Sequence, residues 1–424
     1  MAKIKDILVR EILDSRGNPT VECDVYLSDS IFGRASVPSG ASTGKHEAIE
    51  IRDQDPNRYL GKGVKKSLNN IKNIKSKILE EDFFNLEEFD KFIIEIDGTP
   101  NKSNLGANST LALSIAFAKA LCLQKKLNLY EFLSNNNDYV LPVPMINIIN
   151  GGAHADNDID FQEFMISPIG ASTFSESLRY GTEIFHSLKN KLKSKGLNTN
   201  VGDEGGFAPN INSTKQVLDL ILEAVHTVGL EIKKDVVIAL DIASTEFYKE
   251  NQYHLNGEDK ILSSDKMIAY LKELTDNYPI FSIEDGLAED DWSGWKILTQ
   301  EIGNKVQLVG DDLFVTNLER LKKGIESSSA NAILIKLNQI GTVSETISAI
   351  NLAKKSNYSC IISHRSGETE DTTISDLAVG TGCNQIKTGS ITRTDRTAKY
   401  NQLLRIEEKL GKKAIFAGRS IVKD

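Results

Sequence analysis

Six short apolar or β-branched runs, each ending in polar residues and separated by helix-length segments, constrain this chain more than any other feature. They lie at 235–243, 279–285, 306–312, 330–339, 359–366 and 385–390. The polar residues marking them are Asp241, Glu284, Asp311, Lys336, His364 and Lys387. After the first gap these recur about every 25 residues, the repeat of a strand–helix unit. A series this long predicts a parallel barrel, in which the C-terminal ends of the strands converge on one mouth.

Within the fourth run, Lys336 sits in Ile333-Leu334-Ile335-Lys336-Leu337-Asn338. Strand alternation puts it on one face with Leu334 and Asn338. A lysine in such a run is expensive to bury unless it is paired or has work to do. Taken alone it reads as a strand-end lysine whose ammonium reaches water. Its neighbours change that reading. A closed barrel brings Asp241, Glu284 and Asp311 from three strands into one mouth, where unpaired carboxylates repel. A hard divalent cation resolves the repulsion, and magnesium fits best because it takes a few carboxylates and leaves positions for water and substrate. Lys336 and Lys387 add cations, and Arg365-Ser366 adds a fork donor and a hydroxyl of the kind that hold phosphate. The site therefore suits an anionic substrate.

Two glycine-rich approaches accompany it. Val201-Gly202-Asp203-Glu204-Gly205-Gly206 makes a tight turn able to present Glu204. Asn150-Gly151-Gly152-Ala153-His154 and Phe161-Gln162-Glu163-Phe164 bring further polar groups.

The N-terminal third reads differently. Residues 3–13, 19–28 and 31–37 predict an antiparallel three-stranded meander. The loop Ser39-Gly40-Ala41-Ser42-Thr43-Gly44-Lys45-His46 is one residue short of a phosphate loop and has histidine at its hydroxyl position. Its glycines around a Ser-Thr pair instead suit a mobile loop that folds over a ligand. Helical stripes follow at Val64, Leu68, Ile71, Ile74 and Ile78, and at Leu111, Ile115, Ala118 and Cys122 after an Asn108 or Ser109 cap. The polar stretch 134–138 with Pro142 and Pro144 marks a boundary, giving domains at 1–137 and 138–424. The 424 residues suit two or three domains, and 40% apolar with 26% charged residues is ordinary for a soluble globular chain. A net charge of −9 argues against direct nucleic-acid binding. The N-terminus has no apolar core like a signal peptide, and no run approaches a membrane span. Four scattered cysteines suit free thiols in a reducing cytoplasm.

Nine stretches together resemble the enolase family, the phosphopyruvate hydratases, in their bacterial form. They are DSRGNPTVE (14–22), SVPSGASTGKHEA (36–48), NIINGGAHADN (147–157), FQEFMI (161–166), VGDEGGFAPN (201–210), QLVGDDLFVTN (307–317), ILIKLNQIGT (333–342), SHRSGETED (363–371) and QIKTGS (385–390). The resemblance runs end to end and implies an α/β protein: an N-terminal α+β domain, meander plus helices, then an enolase-type TIM-like β/α barrel with an irregular β-β-α-α start. It implies reversible dehydration of 2-phosphoglycerate to phosphoenolpyruvate in glycolysis. Lys336 would remove the C2 proton and Glu204 would help the C3 hydroxyl leave. Asp241, Glu284 and Asp311 would hold one magnesium ion, and Ser42 would reach a second that arrives with substrate. Gln162, Arg365, Ser366 and Lys387 would contact substrate, with His154, Glu163 and His364 close by. A Lys base beside one or two magnesium ions is the superfamily's known pattern. As a base Lys336 must be neutral, and Lys387 with the metal would lower its pKa. The resemblance further implies a cytoplasmic homodimer or octamer. It leaves open surface display without a signal peptide and a place in an RNA-degrading assembly, although the final Asp424 does not match the terminal lysine through which some relatives bind plasminogen. Two rival readings remain: another dehydratase of the superfamily, and a binding role beside catalysis or in its place.

Overall fold

A computed structural model describes residues 1–40, 44–134 and 138–423. The chain opens with the expected meander, β1 (Asp6–Leu13), β2 (Pro19–Ser28) and β3 (Ile31–Ser36), in antiparallel register from Asp6↔Tyr26 to Leu13↔Pro19. The turn between β1 and β2 is built by Asp14, whose Oδ1 accepts the amides of Arg16 (2.9 Å) and Asn18 (2.8 Å), while Gly17 takes φ +74°. Helices α1 (Lys65–Glu80), α2 (Leu86–Asp97) and α3 (Ala107–Lys125) follow. The predicted stripe Leu68, Ile71, Ile74 and Ile78 is the buried face of α1. Close packing of α3 on the sheet needs glycine at position 33, where a Cβ would collide with the backbone of Ala116 and Ala120. The cap of α3 is Gly106, not Asn108 or Ser109. Asn108 is drawn off to the loop before α1, accepting from the Ile51 amide (3.3 Å) and donating to the Ile51 carbonyl (3.1 Å).

Eight strands close a barrel: β4 (Val143–Asn150), β5 (Glu163–Pro168), β6 (Val236–Asp241), β7 (Ile280–Glu284), β8 (Gln307–Gly310), β9 (Ala332–Ile335), β10 (Ser359–Ser363) and β11 (Gln385–Lys387). The barrel is not wholly parallel. β5 runs antiparallel to both β4 and β6. Residues 151–162, which connect β4 to β5, hold no α-helix to carry the chain back for a parallel return, so it folds back as a hairpin. Helices α4 (Phe174–Ser194) and α5 (Thr214–Thr227) then come in succession before β6. This is the β-β-α-α start, and the strand spacing could not reveal it because that region breaks the 25-residue rhythm.

Period-2 alternation sorts the barrel residues. Val143, Met145, Met165, Val237, Ala239, Phe281, Val309, Ala332, Leu334 and Ile361 form an inner apolar cluster, separate from the larger core between barrel and helices. The N-terminal elements dock beside the barrel mouth through a Ser39–Gly367 backbone bridge, a Lys102–Glu345 ion pair (2.6 Å) and a Lys119–Asp371 ion pair (2.6 Å). All four cysteines are buried and unpaired. Among the described residues no helix is long and apolar enough to cross a membrane.

Candidate functional site

The parity that fills the barrel with Ala239, Val309, Leu334 and Ile361 aims Asp241, Asp311, Lys336 and Ser363 inward one step further along. By the same rule Lys387 follows Gln385, whose side chain is inside, bonded to Gln307 (2.7 Å). Because β5 is reversed, its first residue, Glu163, reaches the same end and pairs in register with Asp241 and Asn150. Lys336 lies one residue past β9, which stops at Ile335; the chain then turns into the short helix Leu337–Ile340. It therefore shares a face with Leu334, but Asn338 is a helical residue rather than the next inward strand position.

Lys387, 2% exposed, is the electrostatic centre. Its Nζ lies 2.8 Å from Asp241 Oδ2, 2.9 Å from Glu284 Oε1 and 3.2 Å from Glu163 Oε1. Burial opposes its charge, yet these carboxylates, Asp241 foremost, hold its pKa well above the ordinary lysine value. Lys336 Nζ bonds Asp311 Oδ2, and Gln339 Nε2 donates to Asp311 Oδ1 at 2.9 Å. Burial pushes the Lys336 pKa down and Asp311 pushes it up; the carboxylate prevails. The lowered value was expected from Lys387 and a bound metal; Asp311, a partner that strand spacing did not pair with Lys336, works against it. Gln162 Nε2 donates to Asp241 Oδ2 (3.2 Å).

A second group surrounds Glu204. His364 Nε2 is 3.3 Å from its Oε2, and Asn147 Nδ2 donates to the same oxygen at 3.3 Å. His154 Nδ1 lies 3.7 Å from Glu204 Oε1 and 3.5 Å from Glu163 Oε1. Burial, then the Glu204 charge, pushes Glu163 well above the carboxylate range. Glu204 is held well below it, burial being overcome by His364 and His154. The pair is thus pushed apart, and a proton in this cluster is held by Glu163 more readily than by Glu204.

Arg365 makes a fork to Glu47 (3.0 and 3.1 Å) and donates to Asn338 Oδ1 (3.1 Å). Ser366 Oγ accepts from Arg16 Nη1 at 3.4 Å. One cleft is lined by His154, Gln162, Glu163, Glu204, Asp241, Asp311, Lys336, His364, Arg365, Ser366 and Lys387 together. Of the expected site residues, Glu284 is buried just beneath it, and Ser42 lies outside the described residues.

Several neighbours escaped the reading of the sequence. Asp285 holds a positive φ of 43° and accepts the amides of Asp311 (3.0 Å) and Asp312 (2.8 Å), so it grips the turn that presents Asp311. The Glu284-Asp285-Gly286 sequence was the available signal. Burial, then Asp311, pushes Asp312 up to about 8. Glu47 and Arg396 gave no signal, because each acts across a long sequence separation.

Acids outnumber cations around this cleft, and among the described residues Glu163 Oε2 and Glu284 Oε2 are buried without a hydrogen-bond partner. An all-oxygen set with spare carboxylate lone pairs fits a hard divalent cation. Ligand atoms of Asp285, Asp311 and Asp312 lie within 4.8 Å of one another, as do those of His154, Glu163 and Glu204. Residues 138–424 match the family model described as "Enolase, C-terminal TIM barrel domain", and residues 4–133 match "Enolase, N-terminal domain". The chain belongs to the enolase family. Enolases are magnesium-dependent lyases, and the carboxylate-rich cleft of this member has the donors for a metal ion.

Proposed function

We propose that this chain is a phosphopyruvate hydratase, interconverting 2-phospho-D-glycerate and phosphoenolpyruvate in glycolysis and gluconeogenesis. The observation that carries the reading is that one cleft holds a lysine on a carboxylate, two buried carboxyls, Glu163 and Glu204, beside His154 and His364, and an arginine–hydroxyl pair suited to phosphate. Residues 138–424 supply this machinery and residues 1–137 cap it.

Asp241, Glu284 and Asp311 would hold one magnesium ion and Ser42 would reach a second. Bound magnesium supplies positive charge beside the substrate carboxylate, where a second negative charge develops on loss of the C2 proton. Lys336 takes that proton. It becomes a base once Asp311 is engaged elsewhere, because burial then acts with Arg365 and Lys387 to disfavour the ammonium. Glu204 delivers the cluster proton to the departing C3 hydroxyl, so water leaves and the electron pair of the C2–H bond becomes the new double bond. Arg365, Ser366, Lys387 and Gln162 hold the substrate, with His154, Glu163 and His364 shaping the acid side. We place the enzyme in the cytoplasm as a homodimer or octamer.

The test is the ultraviolet absorbance of phosphoenolpyruvate formed from 2-phosphoglycerate. Product is expected with magnesium, none with chelator, and none from glycerate lacking phosphate. Failure to form phosphoenolpyruvate with magnesium present sinks the assignment; turnover of a non-phosphorylated acid favours another dehydratase of the superfamily.

The acids also set a pH signature. Asp312 titrates at about 8 in the fold against 3.8 for an unperturbed Asp. The folded state therefore holds a proton that the unfolded chain has lost, and that stability disappears as pH rises from about 4 through 8. A cation that neutralises the cluster removes the penalty. The rise in Tm given by magnesium is expected to grow between pH 5 and about 8, measured by thermal melts with magnesium or chelator. An increment independent of pH contradicts the raised carboxylates.

A further inference from the structure

Arg396 stands in the first turn of the helix Thr394–Leu410, and its side chain is wholly buried. It reaches back across two sequence motifs that lie far apart in the chain. Nη1 lies 2.5 Å from the Arg365 carbonyl and 2.5 Å from His364 Nδ1. Nη2 donates to the carbonyls of Ser366 (2.5 Å) and Asp203 (3.2 Å), and Nε lies 2.8 Å from Asp395 Oδ2. The guanidinium thus clasps both the SHRSG turn and the GDEGG turn.

A guanidinium has donors and no acceptor. At 2.5 Å it faces His364 Nδ1 with an N–H, so Nδ1 must offer its lone pair. A proton on Nδ1 would set donor against donor. The ring's single proton then sits on Nε2, which lies 3.3 Å from Glu204 Oε2, near enough to be drawn to it although the two are not aligned as a hydrogen bond in this structure.

We propose that Arg396 is a positioning residue that fixes His364 as the neutral Nε2–H tautomer, turning that N–H towards the Glu204 carboxylate. Burial, assisted by the adjacent guanidinium, pushes His364 down to about 3, which agrees with an imidazole uncharged near neutrality. The consequence for turnover rests on the reading of Glu204 as the acid. A histidine locked as a donor keeps one carboxylate oxygen oriented and leaves the other for the proton. The opposite tautomer would present a lone pair to a carboxylate.

The tautomer is read on the ligand-free protein by long-range proton–nitrogen NMR of nitrogen-15-labelled histidine. The chain has six histidines, and His364→Asn assigns the signal by its loss. Near neutral pH the wild-type protein is expected to show a protonated Nε2 and a bare Nδ1 at His364; a protonated Nδ1 or an imidazolium overturns the proposal. In Arg396→Met an Nδ1–H population is expected to appear. Its kcat should fall about 10- to 100-fold, the usual size for losing a residue that orients a functional one, with KM nearly unchanged. A folded Arg396→Met with an unchanged His364 signature overturns it. Should that variant not fold, Arg396→Lys keeps a buried donor-only cation and is expected to retain the Nε2–H signature; an Nδ1–H signal there overturns the proposal. The NMR reading needs no substrate, so it stands or falls separately from turnover of 2-phosphoglycerate.

Discussion

Replacing Lys336 with alanine is expected to cut turnover by at least ~10²-fold, the low end for a single acid–base group, without weakening magnesium binding. The two halves of this expectation have different origins. The loss of rate follows from removing the proton acceptor. The retention of metal follows from the Lys336–Asp311 pair, which gives Asp311 an internal cation to compete with an external one. Without Lys336, Gln339 still holds Asp311 Oδ1 at 2.9 Å, so the carboxylate stays placed and is freer to bind metal. The variant also leaves a buried charge unmatched, a change that typically costs about 3–5 kcal/mol. It should therefore melt lower than wild type in chelator and recover with magnesium. Turnover assays, calorimetric magnesium titration and melts in both conditions separate these effects. Near-normal activity removes Lys336 as the base. Lost magnesium binding would mean that the lysine organises the carboxylates rather than competing for one of them.

The residues that made this legible in sequence lie at strand ends. Asp241, Asp311, Lys336 and Lys387 could be placed because the barrel repeats a local pattern, and period-2 alternation decides which way each side chain points. The same logic could not show β5 running backwards. A reversed strand has the same alternation, so Glu163 could be named among the polar groups of Phe161-Gln162-Glu163-Phe164 but not placed at the start of a strand. Pairings across the fold were beyond reach for a different reason. The Arg365–Glu47 fork and the contact between Arg396 and His364 join distant segments, and no local spacing encodes them. The Lys336–Asp311 contact was out of reach on the same account: both residues were placed at the mouth, but nothing in the spacing paired them, and this carboxylate raises the Lys336 pKa that Lys387 and a bound metal were expected to lower. Asn108 failed in the opposite sense. A good capping residue was present, but a tertiary partner, the Ile51 backbone, won it.

Lys387 offers the largest effect on stability. Lys387→Met keeps the length of the side chain and removes the charge that bridges Asp241, Glu284 and Glu163. Breaking a buried pair by deleting one partner costs about 3–5 kcal/mol, and here one deletion strips several carboxylates at once. The pKa of Lys387 is raised in the fold, so its contribution is fully present below the ordinary lysine range and is lost only as pH rises through the higher folded value. Across pH 5–9 the wild-type ammonium therefore does not titrate. The variant behaves differently, because protonation of the abandoned acids becomes its route to neutrality. Glu163 and Glu284 are already pushed up by burial with Lys387 in place, and they rise further without it. The deficit of Lys387→Met is thus expected to be smaller at pH 5 than at pH 8, and magnesium should recover part of it. Denaturant unfolding in chelator at both pH values, repeated with magnesium, checks this. A deficit that does not change with pH would show that the methionine is tolerated or rejected for its shape, and that Lys387 does not hold the carboxylate ring together by its charge.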